Sequence, residues 1–167
     1  LPFGVLMFML PIVGRGMGAT ALEIGGLYSI FSLVTVLLRP IVGRALDRYG
    51  RKPFLLAGLF AYSLANLLYA TVDAVWALYV ARFAQGIGSG LMWLAAYAIV
   101  ADLAGGSERG GRFGQIEEMA ARGGILGFMV AFSLMGFLGD ASGWRTGFYL
   151  FTAIGMLAVL FAWKRVP

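Results

Sequence analysis

The sequence predicts an all-α membrane protein in which several helices cross the bilayer. Hydrophobic residues make up 60% of its 167 positions and charged residues only 13%, a composition outside the range of soluble domains. Apolar stretches of about 20 residues, the length that crosses a bilayer as an α-helix, occupy residues 21–42, 53–71, 75–100, 113–137 and 144–163. The segments between them are short, so the predicted fold is a compact helical bundle.

An earlier apolar stretch, residues 1–13, reaches only 13 residues before Gly14 and Arg15. It has neither the basic start nor the small-residue cleavage site of a signal peptide. We interpret it as the far half of a first membrane helix whose beginning is missing from the sequence. This gives six helices in one domain, residues 1–167, and the 25 glycines provide the small surfaces that let membrane helices pack closely.

The basic residues predict how these helices are oriented in the membrane. If six helices alternate across the bilayer, the breaks after the second, fourth and sixth lie on one side. Ten of the 13 cations collect there: Arg39, Arg44, Arg48, Arg51, Lys52, Arg109, Arg112, Arg122, Lys164 and Arg165. The positive-inside rule makes that side cytoplasmic. We therefore expect a multi-pass protein surrounded by the lipid bilayer of the plasma (inner) membrane, with the C-terminal end of this sequence in the cytoplasm.

Composition also excludes several classes of function. The net charge of +5 is compatible with nucleic-acid binding, but the cations lie at the ends of apolar runs and not along one soluble face. The sequence contains no Cys and no His, so the usual zinc ligands and redox-active thiols are absent. We expect no metal, no cofactor, no nucleic-acid partner and no enzymatic activity, since the commonest nucleophile and base side chains are missing.

A basic cluster, residues 43–52, separates the second and third apolar stretches. It contains two glycines, one acid and four cations: Gly43, Gly50, Asp47, Arg44, Arg48, Arg51 and Lys52. A loop that only sets topology needs cations, but neither a fixed turn nor a carboxylate. We expect the glycines to permit a tight turn and a close helix approach, and Arg51 to pair with Asp102 at the end of the fourth stretch. The alternative is a topology determinant whose solvated ion pairs contribute under about 1 kcal/mol each.

Polar side chains share one face of the fourth predicted helix. Arg82, Gln85 and Ser89 follow each other at helical spacing and form one stripe. A guanidinium inside the membrane costs at least about 2.5 kcal/mol unless it meets water or an acceptor. We expect this stripe to face a central cavity; the alternative is a structural role in which Arg82 bonds carbonyls of the first helix. Gly86 and Gly90 beside the stripe predict close packing by a neighbouring helix.

Two other helices carry candidate residues at helical spacing. Tyr28 and Ser32 begin a polar stripe on the second helix and are expected to line a pathway, or else to bond the backbone or bridge helices. On the fifth helix, Glu118 and Arg122 have the favourable i, i+4 order. They either close the inner end of a cavity or form an interfacial ion pair. Farther along, the small residues Gly123 and Gly127 predict a seam for helix packing.

Two segments carry a resemblance to a known family. The basic cluster is similar to the G-x-L-A-D-R-x-G-R-K signature between helices two and three of the major facilitator superfamily. Residues that match are Gly43, Asp47, Arg48, Gly50, Arg51 and Lys52, whereas Ala45 and Leu46 invert the usual order. Residues 78–88 resemble the family's second signature, L-x-x-x-R-x-x-Q-G-x-G, at all five fixed positions. The resemblance covers essentially the whole chain, as the N-terminal six of twelve helices.

The resemblance implies a fold and a function. The fold is a six-helix bundle of two inverted three-helix repeats, and its partner is a C-terminal six-helix half that this sequence does not contain. The function is secondary active transport of a small organic solute by alternating access, expected here as proton-linked export or exchange. The alternative is a membrane receptor or scaffold that keeps the fold without transporting.

Family membership would also assign roles to particular residues. The basic cluster with Asp102 would act as a conformational latch that stabilises the outward-facing state, with Asp47 facing a helix N-terminus in the other half. Arg82 would serve proton coupling or bind an anionic group. The family's drug/proton antiporters carry G-x-x-x-G-P-x-x-G-G in the fifth helix, where this chain has Phe128 in place of the proline and Ala131-Phe132 in place of the last glycines.

Overall fold

The computed structural model describes residues 2–105 and 109–166, which form an all-helical bundle. Its elements are α1 (Pro2–Gly16), α2 (Ala21–Tyr49), α3 (Lys52–Thr71), α4 (Val75–Leu103), α5 (Arg109–Leu138) and α6 (Asp140–Arg165). The five helices α2 to α6 are long and apolar enough to cross a membrane, and α1 is a shorter apolar helix. Five such helices in one chain are typical of an integral, multi-pass membrane protein.

The helices extend farther at several ends than the apolar stretches predict. Helix α2 continues through most of the basic cluster to Tyr49, so the expected ten-residue break reduces to Gly50 and Arg51. Gly50 has a φ of 85°, a left-handed conformation that glycine adopts without strain and that reverses the chain here. The expectation for Gly43 is wrong: it lies inside α2, and a Cβ on it would meet nothing within 4 Å in the described residues.

Helices α5 and α6 show the same extension. Helix α6 begins at Asp140, so only Gly139, which has a φ of 81°, separates it from α5. Helix α5 begins at Arg109, four residues before the apolar stretch 113–137. Residues 106–108, just before α5, lie outside the described residues. Helix propensity accounts for the extension of α2, which contains Arg, Ala and Leu, but not for those of α5 and α6, which contain glycines.

Some of the helix pairings, but not all, match those of two repeated three-helix units; α3 and α4 pack extensively, whereas α1 and α6 touch little. Helix α1 packs mainly against α5, α2 against α4, and α3 against both α4 and α6. If α1, α2 and α3 are exchanged with α4, α5 and α6 in that order, the α1–α5 pair becomes the α4–α2 pair. The α3–α6 pair is unchanged by the same exchange. At one end of the bundle, α2 and α4 finish and α3 and α5 begin; we call it the basic end because the basic cluster lies there.

Close approach of α4 to its neighbours depends on glycines. A Cβ on Gly86 would lie 3.0 Å from the Val34 side chain of α2, as the sequence predicts for a packing residue, whereas one on Gly90 would make an ordinary contact with Leu38. A closer approach was not predicted: a Cβ on Gly88 would lie 2.5 Å from the backbone N atom and 2.8 Å from the Cα atom of Tyr62 in α3. On α5, the predicted seam residue Gly127 is buried.

Candidate functional site

A buried polar network surrounds Arg82 in the interior of the bundle. The Arg82 side chain is only 2% exposed, and its Nη1 atom donates to Oε1 of Gln85 at 2.8 Å. The same oxygen accepts a hydrogen bond from the hydroxyl of Tyr69 at 3.0 Å, and Nε2 of Gln85 donates to the hydroxyl of Tyr62 at 3.0 Å. Arg82, Gln85, Tyr62 and Tyr69 form the Arg82 network, which joins α4 to α3.

Helix α2 covers the other side of the guanidinium. The rings of Tyr28 and Phe31 lie 5.1 Å and 5.4 Å from the Arg82 Cζ atom, at cation–π distance. Tyr28 also donates its hydroxyl hydrogen to the carbonyl of Met7 in α1, at 2.7 Å. The Arg82 Nε atom is buried and has no hydrogen-bond partner among the described residues. Within the same part of the chain, no carboxylate forms an ion pair with Arg82.

The structure corrects the expected orientation of this stripe. Arg82, Gln85 and Ser89 are all buried inside this bundle and do not lie on an open cavity face. The expected alternative was that Arg82 bonds carbonyls of the first helix, but among the described contacts it is Tyr28 that makes the bond to α1. An arginine in an apolar environment needs acceptors and π faces. Gln85 provides the acceptor, and the rings of Tyr28 and Phe31 in α2 provide the π faces. The functional roles of these residues stay predictions.

The remaining residues of the predicted α2 stripe differ in exposure. Tyr28 is half-buried between α1 and α4, whereas Ser32, one turn farther along α2, is exposed on the bundle surface. The structure therefore does not bring Ser32 to the Arg82 network. Sequence analysis also missed Tyr62 and Tyr69 as partners of Gln85; their seven-residue spacing, which puts both on one face of α3, was the available signal.

The basic cluster is organised around Arg51. Its Nε atom lies 2.9 Å from Oδ2 of Asp102, so the expected ion pair is present. The geometry of this contact is not that of a hydrogen bond. Its Nη1 atom donates to the Leu46 carbonyl at 3.0 Å, and Nη2 lies 3.4 Å from Oδ1 of Asp47. The Asp47 side chain is 77% exposed, so most of its carboxylate remains accessible.

The other cations of the cluster lie around this contact. The Arg48 guanidinium lies over the Tyr49 ring at 5.3 Å from its centroid, on the exposed end of α2. Lys52 is the first residue of α3 and is half-buried. Arg51, at the start of α3, therefore contacts the ends of α2 and α4. Arg48 instead packs on the ring of Tyr49.

A second charged group lies on α5 near the basic end. Arg122 Nη2 and Glu118 Oε1 form the predicted i, i+4 ion pair at 2.5 Å, and both side chains are exposed. The neighbouring carboxylate, Glu117, accepts a hydrogen bond from the Tyr97 hydroxyl of α4. Tyr97 in turn stacks on Trp93, with ring centroids 5.6 Å apart. The sequence did not predict the contact between Tyr97 and Glu117, although Trp93 and Tyr97 form an i, i+4 aromatic pair that was a usable signal.

No group of three or more His, Cys, Asp or Glu side chains in the described ranges is placed to hold a metal ion. Three groups of polar side chains stand out in the described bundle: the Arg82 network, the Arg51 contacts and the charged group on α5.

Comparison with known proteins decides the family. The profile of the Major Facilitator Superfamily matches residues 1–167, the whole chain. The chain belongs to the major facilitator superfamily. Members of this family are membrane transporters, and a six-helix bundle is half of the fold that they share.

Individual relatives share moderate sequence identity with this superfamily member. The class B tetracycline resistance protein of Escherichia coli is 34% identical over 142 residues, 83% of this chain and 34% of the relative. An uncharacterized MFS-type transporter of Methanocaldococcus jannaschii is 28% identical over 98% of the chain and 41% of its own length. The quinolone resistance protein NorA of Staphylococcus aureus is 26% identical over 96% of the chain and 40% of its own length. The chain thus spans about a third to two-fifths of these relatives.

Proposed function

We propose that residues 1–167 form the N-terminal bundle of a secondary active transporter that moves a small organic solute by alternating access. A second six-helix bundle would complete the pathway, and the solute would bind between the two halves. The proposed direction is export or exchange linked to protons. Resistance to tetracycline and to quinolones, which the names of two relatives state, makes such compounds the first solutes to test.

The observation that carries this proposal is the buried arginine of α4. A cation inside the hydrocarbon region is costly, so an intramembrane arginine that is not on a lipid-facing surface is by default a functional-site hypothesis. In this bundle Arg82 donates to Gln85 and interacts with Tyr69, and its Nε atom has no hydrogen-bond partner among the described residues. An unneutralised cation with a free donor can respond to a proton or an anionic group arriving nearby, which is what coupled transport requires.

The contacts of Arg51 support the same proposal at the basic end. Alternating access requires contacts at one membrane surface that form in one state and break in the other. Ion pairs at an exposed position suit this purpose, because each stabilises a state by under about 1 kcal/mol and is easily exchanged. Asp47 contacts Arg51 yet keeps an exposed carboxylate toward the surroundings of the bundle. We propose that this carboxylate meets the second bundle.

Transport itself is tested in liposomes that contain the full-length protein and carry an imposed pH gradient. The measured quantity is the initial rate of tetracycline and quinolone movement, with the gradient and after a protonophore has removed it. Proton-linked exchange predicts a rate that falls to the level of empty liposomes when the gradient is removed. Movement at the same rate without a gradient would overturn proton coupling, and no movement of any tested solute, together with intact partner binding, would favour the receptor or scaffold alternative.

Orientation is tested independently, because this chain contains no cysteine. Single cysteines are introduced at two exposed positions, Tyr49 at the basic end and Asp73 at the opposite end. We expect a membrane-impermeant maleimide added to intact cells to label Asp73→Cys and not Tyr49→Cys. The reverse pattern would place the basic end outside.

A further inference from the structure

Helix α1 contains a proline whose backbone leaves one carbonyl without its usual donor. Pro11 lies inside α1, and proline has no N–H group. The carbonyl four residues earlier, that of Met7, therefore has no intrahelical hydrogen bond from residue 11. Inside a membrane such a freed backbone acceptor has to be satisfied by a neighbouring helix, a side chain or water.

The group that satisfies this carbonyl is the Tyr28 side chain of α2. Its hydroxyl donates to the Met7 oxygen at 2.7 Å, a well-formed hydrogen bond. Helices α1 and α2 otherwise touch little, because α1 packs chiefly against α5. Tyr28 is thus a specific link between α1 and the rest of the bundle, at the turn where proline has weakened α1.

The same tyrosine contacts Arg82 through its ring. The guanidinium carbon lies 5.1 Å from the ring centroid, and the Arg82 side chain is almost fully buried. Two χ angles fix both the ring and the hydroxyl of a tyrosine, so the hydroxyl cannot follow a moving Met7 carbonyl without shifting the ring. A displacement of the α1 backbone at this turn is therefore transmitted to the surroundings of Arg82.

We propose that Tyr28 is a positioning residue that couples the Pro11 turn of α1 to the Arg82 network. This assigns its hydroxyl to a backbone carbonyl and not to a transported solute, in contrast to the pathway role that the sequence suggests. The inference rests on the proposed function only in one respect, that the coupling matters for transport. The structural coupling itself holds whatever solute is moved.

A double-mutant cycle between Tyr28→Phe and Pro11→Ala tests the coupling in the purified full-length protein. In the Pro11 background, Tyr28→Phe leaves the Met7 carbonyl unpaired and should lower the unfolding temperature. It should also lower the maximal transport rate by about threefold, the size of one lost membrane hydrogen bond. In the Pro11→Ala background, the new N–H of residue 11 donates to Met7, so Tyr28→Phe should have a much smaller effect on the unfolding temperature. The maximal rate should still fall, because the link from α1 to Arg82 is missing.

Tyr79→Phe provides a matched control. The Tyr79 hydroxyl of α4 also donates to a backbone carbonyl, that of Glu23 in α2, at 2.7 Å. No proline lies four residues after Glu23, so the effect of Tyr79→Phe should be the same in both backgrounds. If the effect of Tyr28→Phe on the unfolding temperature is likewise independent of residue 11, the proposal is overturned.

Transport kinetics separate a positioning role from direct contact with a solute. A positioning residue changes the maximal rate and leaves the KM close to that of the wild type. Full rescue of the rate by Pro11→Ala would mean that Tyr28 only satisfies the Met7 carbonyl, and it would overturn the coupling to Arg82. A raised KM with an unchanged maximal rate would show that the hydroxyl contacts solute and would also overturn the inference. If no tested solute is transported by the wild type, the proposed function fails, and the unfolding temperatures of the cycle still decide the coupling.

Tyr28→Leu examines the ring contact. This variant removes both the hydroxyl and the π face next to Arg82, whereas Tyr28→Phe keeps the ring. Tyr28→Leu should therefore lower the maximal rate further than Tyr28→Phe, and Pro11→Ala should not restore it. Equal rates for the two variants would overturn the part of the proposal that routes the coupling through the ring.

Discussion

Arg51 and Asp102 lie 2.9 Å apart and join the start of α3 to the last turn of α4. The same guanidinium donates to the carbonyl of Leu46 and contacts Asp47, so one side chain connects three helix ends. Both carboxylates are more than half exposed. Exposed ion pairs of this kind contribute under about 1 kcal/mol each. Their role in the proposed transporter is therefore to bias one state over another, not to hold the fold.

The first prediction concerns Asp47. We expect Asp47→Asn to leave the unfolding free energy within about 1 kcal/mol of the wild type, because the ion pair it loses is exposed. We expect the turnover of the full-length protein to fall, because the exposed carboxylate is proposed to meet the second bundle. Turnover in liposomes and thermal unfolding in detergent measure the two effects. Asp73→Asn, an exposed acid at the opposite end, is the control, and equal turnover for the two variants would contradict the latch proposal.

The second prediction compares two glycines. A Cβ on Gly88 would lie 2.8 Å from the Tyr62 Cα atom, so Gly88→Ala requires α3 and α4 to separate. We expect a loss of about 1–3 kcal/mol in stability, as for overpacked cores. Gly43→Ala has open space around it and should be neutral or stabilise α2 by up to about 1 kcal/mol. Unfolding temperatures of the purified variants give the comparison, and a Gly43→Ala loss as large as that of Gly88→Ala would refute it.

The sequence predicted helix number and order well, because about 20 apolar residues are needed to cross a bilayer whatever the neighbours are. It also predicted the contact of Arg51 with Asp102, since both residues lie at helix ends on the same side of the membrane. Helix ends were less accurate. The basic cluster continues α2, because a membrane helix does not have to end where the hydrocarbon ends.

Sequence periodicity gave the members of the Arg82 stripe but not the direction it faces. Spacing shows which side chains share a face of α4, whereas the partner of that face depends on how the helices are arranged. The same limit applies to glycines. Gly43 and Gly88 look alike in the sequence, and only the neighbouring backbone shows that one is free and the other is in tight contact.

The third prediction concerns Trp144 at the start of α6. Its indole N–H donates to the Tyr69 carbonyl at 2.7 Å, one of the last four carbonyls of α3, which lack helical donors. Trp144→Phe keeps an aromatic ring but leaves this buried carbonyl unpaired, so we expect a loss of about 1–3 kcal/mol in stability. Trp76→Phe is the control, because Trp76 is 70% exposed. Thermal unfolding of both variants tests this, and a loss for Trp76→Phe equal to that for Trp144→Phe would argue against the capping role.

The last prediction compares two arginines that lie within the membrane helices. Arg82→Ala removes a buried cation, which relieves its insertion cost of at least about 2.5 kcal/mol. It also removes one donor to Gln85, whose Oε1 atom keeps the Tyr69 hydroxyl. These two effects oppose each other. We therefore expect the free energy of unfolding to change by no more than about 2 kcal/mol, less than the loss of a buried charged hydrogen bond alone suggests.

Transport should respond more strongly than stability to this change. If Arg82 is the group that senses a proton or an anionic solute, Arg82→Ala should reduce the transport rate by about tenfold or more, which corresponds to about 1.4 kcal/mol. Arg39→Ala removes an exposed arginine of α2 that lies away from the Arg82 network and should retain most of the activity. Initial rates for both variants, normalised to protein in the membrane, decide between the roles. Equal rates would make Arg82 a structural residue, because its charge would then contribute no more to transport than that of a surface cation.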